Sequence, residues 1–275
     1  MSDYATDAAF RIALEQRLLN LARASHVNLD RLRRQVVMER FLARLDAAEP
    51  GAWVLKGAMA LEVRLGTAAR ATMDVDLGLR GPDTPNDLNT LADRIAAAIA
   101  RPSNDRFAFR LAGLQHLASA GVSGLARARV ECRLAGREFG RIQVDVARRP
   151  YELDETERIP LHGHLRFAGI DPPEVEVVSL ARHAAEKFHA MLLRFSDREN
   201  TRVRDLADLV ILREHDLIDP AAVATAVRRV FAERATALPA ILPAFPTGWP
   251  ERYERIAREH NIGAATFAAA HAMIM

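Results

Sequence analysis

Residues 52–79 read AWVLKGAMALEVRLGTAARATMDVDLGL, and the change of period within this stretch decides the fold. AWVL (52–55) is a short apolar run halted by Lys56-Gly57, and a short helix is expected over 59–65. MDVDLGL (73–79) then alternates with period two, the mark of a strand with one covered face. Successive strand residues point to opposite faces. Val75, Leu77 and Leu79 therefore enter a core, while Asp74 and Asp76 project together from the other side.

Two carboxylates held that close repel unless a positive charge sits between them. An isolated Asp-x-Asp is commonly no more than a pair of solvated acids, so its surroundings carry the weight. The run at 52–55 ends in Lys56-Gly57-Ala58 and turns into a helix. Glycine permits close backbone approach, and a helix N-terminus presents unpaired N–H groups to an anion. A phosphate held there would lie near a carboxylate-bound metal. In RIQVDVA (141–147), Val144 and Val146 share one face and Gln143 and Asp145 the other. If this strand lies beside 73–79, Asp145 joins the pair, to complete a metal site or to accept the proton of an attacking hydroxyl. Mg²⁺ suits such oxygens together with substrate phosphates. Two such ions about 3.5–4 Å apart can hold the attacking and leaving oxygens of an in-line displacement.

Outward from this stretch, 7–24 and about 30–48 read as amphipathic helices, a helical element ahead of the first strand. A helix over 85–100 and a strand over 107–111 follow. Strands over 127–134 and 138–147 are joined at Ala135-Gly136 as a hairpin. The proline-bearing stretch 148–173 shows few regular patterns and is read as the domain boundary. That gives 1–150 as N-terminal helices plus a sheet lobe and 151–275 as a mainly helical lobe. Helices are expected there over about 179–195, 201–215, 220–235 and 250–272.

At 275 residues, 49% hydrophobic and 27% charged, the chain has room for one large domain or two small ones. A net charge of +2 is compatible with a polyanionic partner without requiring one. The single cysteine, Cys132, excludes an intramolecular disulfide and points to a reducing compartment, the cytoplasm. MSDYATDAAFR carries acids where a signal peptide needs bases, and no apolar stretch of roughly 18 residues suggests a membrane span. Of 38 Lys and Arg residues, only Lys56 and Lys187 are lysine, leaving 38 − 2 = 36 arginines.

Taken together, residues 55–77 (LKGAMALEVRLGTAARATMDVDL) resemble the first motif of the AbiEii/AbiGii-type toxins. These are nucleotidyltransferase-fold toxins of bacterial toxin–antitoxin and phage-defence systems, and the family includes the mycobacterial MenT group. The matching positions are Lys56, Gly57, Arg70, Asp74, Asp76 and Leu77. Residues 178–212 resemble the family's Glu-Lys helix and the Arg-x-Arg/Lys-Asp-x-x-Asp-Leu segment after it. Here the matches are Glu186, Lys187, Arg202, Arg204, Asp205, Asp208 and Leu209. Both lysines fall inside these motifs. Ala58 replaces the second glycine and Met59 a common Ser or Thr, so the backbone amides remain while a hydroxyl contact does not. The resemblance spans about residues 50–215.

The resemblance implies an α/β (α+β) fold, with a nucleotidyltransferase-fold sheet lobe, N-terminal helices and a C-terminal helical lobe. It implies a Mg²⁺-dependent transfer of a nucleoside monophosphate from an NTP to the 3′ acceptor end of tRNA, which blocks translation. The partner implied is a cognate antitoxin. Asp74 and Asp76, with Asp145 from the strand reading, would hold one or two Mg²⁺. Lys56, Gly57, Ala58, Arg70 and Arg204 would meet the nucleotide. Lys187 would hold the triphosphate, and Asp205 would orient Lys187 or act as the base. The expected cleft lies between the two lobes. Two alternatives stay open: transfer of AMP to a protein Tyr or Ser hydroxyl, and a non-catalytic nucleotide- or RNA-binding module.

Weaker candidates remain. His162-x-His164 lacks further zinc ligands. Cys132 on a strand is read as core. Arg127, Arg129, Arg133, Arg137, Arg141, Arg148 and Arg149 make the hairpin basic, a surface that could follow a phosphate backbone.

Overall fold

In the computed structural model, the structure describes residues 4–80, 87–116, 125–147, 153–240 and 244–274. The chain divides into two compact units, residues 1–67 with 71–178, and residues 68–70 with 179–275.

The first unit opens with α1 (Asp7–Ser25) and α2 (Leu29–Ala48), capped by Thr6 and Asn28, whose side chains accept from Ala9 N and Asp30 N. His26 ends α1 in the left-handed conformation (φ 52°). Then come β1 (Trp53–Lys56), α3 (Gly57–Leu65), β2 (Asp74–Leu79), α4 (Leu88–Ile99), β3 (Phe107–His116), β4 (Leu125–Leu134), β5 (Arg137–Ala147), β6 (Thr156–Pro160) and β7 (Glu174–Val178). The strands form one mixed sheet in the order β3-β4-β5-β2-β1-β7-β6. One core joins Phe10 and Leu14 of α1 and Val36, Phe41 and Leu45 of α2 to Val75 and Leu77 of β2, Val130 of β4 and Val144 of β5. The α2 helix is pinned to the start of β3 by a buried fork, in which Arg44 donates to both oxygens of Asp105 at 2.7 Å.

The expected strand at 107–111 extends to His116, and the hairpin at Ala135-Gly136 forms as expected. The start of the 85–100 helix and the arginines at 148 and 149 lie outside the described residues. The stretch 148–173, expected to be irregular, contributes β6 and leads into β7. The division expected at 150/151 falls inside the first unit, which runs to Val178. The reason is local: EVEVV (174–178) alternates, buries Val175 and Val177, and pairs in parallel with β1. Pro160 closes β6 at the sheet edge, where a missing N–H is tolerated.

The 161–165 loop packs a polar group against α2. His164 Nε2 lies 3.1 Å from Gln35 Oε1, and Gly163 N donates to Glu39 at 3.0 Å. The His162 and His164 rings sit 5.7 Å apart, and no group of three metal-capable side chains occurs among the described residues. Burial, then the neighbouring His162 and Arg40, push His164 down to about 4. The unfolded chain therefore takes up this proton first as pH falls. Stability should drop between about pH 6.5 and pH 4, by about 3 kcal/mol, and level off below. His162 shifts the same way, through burial, and adds to the loss. Glu39, raised mainly by burial, acts oppositely, because the folded chain takes up its proton first from the ordinary carboxylate range upward, and this offsets part of the loss. Urea unfolding at pH 7.5 and pH 5 checks this; an equal slope in His164→Gln would refute the assignment.

The second unit contains α5 (Leu180–Leu192), α6 (Val203–Glu214), α7 (Pro220–Glu233), α8 (Trp249–His260) and α9 (Phe267–Ile274). Asn200 bridges α5 and α6. Its Nδ2 donates to the carbonyls of Ala190, Met191 and Leu193, its Oδ1 accepts from Arg202 N, and Trp249 Nε1 donates to its carbonyl. The single helix expected over 250–272 is two, because Asn261 turns left-handed (φ 52°) and ends α8. Tyr253 Oη secures the return by donating to Ala264 O at 2.8 Å. No helix among the described residues is long and apolar enough to cross a membrane.

Candidate active site

Strand register builds the site in the first unit. Lys56 of β1 pairs with Asp76 of β2, Asp76 with Asp145 of β5, Asp145 with Arg127 of β4, and Arg127 with Gln115 of β3. Directly paired residues share a face, so these five side chains form one line across the sheet, opposite the apolar core. One step along the strands, Asp74 pairs with Gln143 and Gln143 with Arg129. Gln143 Nε2 donates to Asp74 Oδ1 at 3.2 Å. The expected assembly of Asp74, Asp76 and Asp145 on one face is therefore present.

Asp145 is held in a fork: Arg127 Nε and Nη2 donate to its two oxygens, each at 2.7 Å. That hydrogen bond raises the Arg127 guanidinium further, with the charges of Asp74 and Asp76 contributing. Burial first, then the Asp145 charge, hold the Asp74 carboxyl above its ordinary range. This crowding of like charge favours a cation at the site. The described residues offer no ready-made cage of three ligands. Mg²⁺ commonly takes one or two carboxylates plus substrate phosphates, and Asp74 with Asp76 fits that donor set. A base role for Asp145 would first require the Arg127 fork to open.

The start of α3 lies against Asp76. Lys56 is its N-cap and makes no side-chain cap bond, so the first-turn amides are left to other acceptors. Gly57 has φ +59°, and a Cβ there would stand 1.8 Å from Asp76 Oδ2 and 2.9 Å from Asp76 Cβ. Glycine at 57 is thus demanded twice, by its dihedral and by the carboxylate beside it. Gly57→Ala should push Asp76 out of place. Since a shift of about 1 Å at a reacting centre costs on the order of 10²-fold, transfer should fall by about that factor. Steady-state assays beside a circular dichroism spectrum would check it, and full activity would refute the close approach.

In the second unit, Lys187 of α5 donates to Asp205 Oδ1 (2.9 Å) and Asp208 Oδ2 (2.7 Å) of α6. Arg70, which belongs to this unit, donates to Asp208 at 3.2 and 3.1 Å. Burial opposes the Lys187 charge, but Asp208 and Asp205 outweigh it and hold the ammonium above its ordinary range. Burial likewise opposes ionised Asp208, and Lys187 with Arg70 outweighs it and keeps the carboxyl below its usual range. An ammonium has three donors, and these two bonds use two. Arg70, expected at the nucleotide, is engaged with Asp208, while Arg204 is exposed. Ala58 lies in the first turn of α3, and Met59 is buried. Arg127 was expected only as part of a basic surface. Its place opposite Asp145 is the contribution the sequence reading missed.

A family model described as nucleotidyl transferase AbiEii toxin, type IV toxin–antitoxin system, matches residues 40–272. The class of protein is thus a nucleotidyltransferase. The chain belongs to the AbiEii family of type IV toxin–antitoxin nucleotidyltransferase toxins. Among solved structures it is similar to MenT4, a nucleotidyltransferase toxin from Mycobacterium tuberculosis H37Rv. The two share 21% identity with a TM-score of 0.55, over 98% of this chain and 87% of that one. At that identity the likeness bears on fold. A comparison with curated proteins gives no match.

Proposed function

We propose that this toxin transfers a nucleoside monophosphate from an NTP to the 3′ acceptor end of tRNA, with Mg²⁺, in the cytoplasm, and is restrained by a cognate antitoxin. The observation that carries the reading is the charged line Lys56–Asp76–Asp145–Arg127 beside the uncapped start of α3. Asp74 and Asp76, with Asp145 beside them, would hold the divalent cation, which would supply positive charge to the phosphates and the leaving group. The amides of Gly57 and Ala58 receive phosphate oxygens at the helix start. Lys56 supplies positive charge to the phosphates held there, and in the second unit Asp205 keeps the Lys187 ammonium charged and oriented. In the same unit Arg204 is exposed on α6, and Arg70 braces Asp208.

The test is incubation with Mg²⁺, each labelled NTP in turn, and total tRNA, beside Asp76→Asn and an EDTA control. Label on tRNA that both controls abolish supports the proposal and names the nucleotide. Label on protein instead moves the acceptor to a Tyr or Ser hydroxyl. Binding of NTP without transfer to either removes the catalytic reading.

A further inference from the structure

The exposed face of β3, β4 and β5 continues outward from the carboxylate line, and its side chains are set by register. Beyond the Asp145–Arg127–Gln115 line comes Gln143–Arg129–Gly113, then Arg141–Glu131–Arg110, then Glu138–Arg133–Ala108. Ala126, Ala128, Val130, Cys132 and Leu134 of β4 point the other way and are buried, so the arginine face is the solvent face. Its acids are already covered. Glu131 accepts from Arg110 at 2.7 Å and Glu138 from Arg141 at 2.6 Å. Arg129 and Arg133 are exposed, and Arg129 donates to Gln115, a neutral partner. Among the described residues, neither Arg129 nor Arg133 is ion-paired with a carboxylate.

We propose that this face is the track along which an RNA acceptor reaches the carboxylates, with Arg129 and Arg133 as its principal phosphate-binding groups. The inference rests on the transfer to RNA proposed above and extends it to a surface. Four features favour a polyanionic strand. At about 3.3 Å per residue, Arg127 to Arg133 spans roughly 20 Å in a straight line. Arg129 begins one step from the carboxylate line. Gly113 and the two glutamines keep the path low and able to hydrogen-bond. The face carries no aromatic ring among Ala108, Arg110, Gly113, Gln115 and the outward residues of β4 and β5. Without stacking platforms, the protein grips the nucleic-acid backbone, so binding is strongly salt-dependent and weakly sequence-dependent.

The experiment is fluorescence anisotropy of a fluorescein-labelled tRNA over a salt series. It compares the wild-type protein, Arg129→Ala/Arg133→Ala, and a charge-matched control on α8, Arg255→Ala/Arg258→Ala. The face variant should raise Kd about tenfold or more and lower the salt slope by about two, one for each phosphate that is no longer neutralised. The α8 control should match wild type, and NTP binding should be unchanged in all three. The inference is overturned if wild type binds no tRNA, if the face variant binds as wild type does, or if the α8 control weakens binding equally. Binding needs no turnover, so the two ideas separate. If wild type binds tRNA, the face variant does not, and label is never transferred, the surface stands and the transfer reading falls.

Discussion

Asp76→Asn is expected to lower nucleotide transfer by about 10³-fold while the protein remains folded. Asp76 sits between Lys56 and Asp145 in the cross-strand line, with the Gly57 backbone packed against its carboxylate. The amide keeps the shape and removes the charge. Loss of a cation-holding carboxylate at a phosphoryl centre is worth several kcal/mol, and about 4 kcal/mol corresponds to 10³ in rate. The variant also relieves repulsion among three carboxylates. Loss of the charge facing Lys56 opposes that relief, so the thermal midpoint should stay close to that of wild type. Single-turnover transfer and a thermal melt measure both. A variant active to within tenfold of wild type would remove Asp76 from the chemistry.

Breaking the ion network of the second unit should have the largest effect on stability. Asp208 is 1% exposed and accepts from both Lys187 and Arg70. Removing one member leaves its partners only partly compensated, Asp208 by Arg70 alone or Lys187 by Asp205 alone, at a cost approaching the roughly 3–5 kcal/mol of a broken buried pair. Lys187→Met and Asp208→Asn should each lose stability in that range in urea unfolding. The double variant should lose less than the sum, by more than about 1 kcal/mol, because each change removes part of the other's penalty. Additive losses would show that the network is not coupled. The pH limits follow from the directions of the shifts. Asp208 is lowered, so its contribution is present above the ordinary carboxylate range and is lost as pH falls through its folded value. Lys187 is raised, so its contribution is complete below the ordinary lysine range and is lost only as pH rises through its higher folded value.

The period-two alternation of MDVDLGL and RIQVDVA was enough to put Asp74 and Asp76 on one face of their strand and Asp145 on the polar face of its own, because strand direction is a local property; that the two strands lie side by side was a condition the alternation could not supply. Neighbours in space are not local. The Ala135-Gly136 turn sets Leu134 opposite Arg137, and a uniform register would bring Arg127 opposite core-facing Val144. A bulge at Cys132/Arg133 shifts the pairing by one and delivers Arg127 to Asp145. Nothing in the composition of ECRLAGREFG announces that extra residue. The β7 strand was equally hidden. EVEVV alternates, yet its partner β1 lies more than a hundred residues earlier, and the prolines around it argued for a loop. In the second unit the resemblance to the family's second motif picked out Lys187, Asp205 and Asp208. That Arg70 closes the same network depends on residues 68–70 joining a unit otherwise built from 179 onward.

The scarcity of lysine has a further consequence. Side-chain amine chemistry on this protein has two addresses. Lys187 is sealed, its ammonium tied to two carboxylates. Lys56 is half-buried at the end of β1, in line with Asp76. An acylating reagent, or an enzyme that modifies side-chain amines, therefore meets one more accessible target, and that target stands in the cross-strand line with Asp76. Bound nucleotide should shield it, so the rate of acylation at Lys56 is a direct gauge of occupancy that needs no engineered probe.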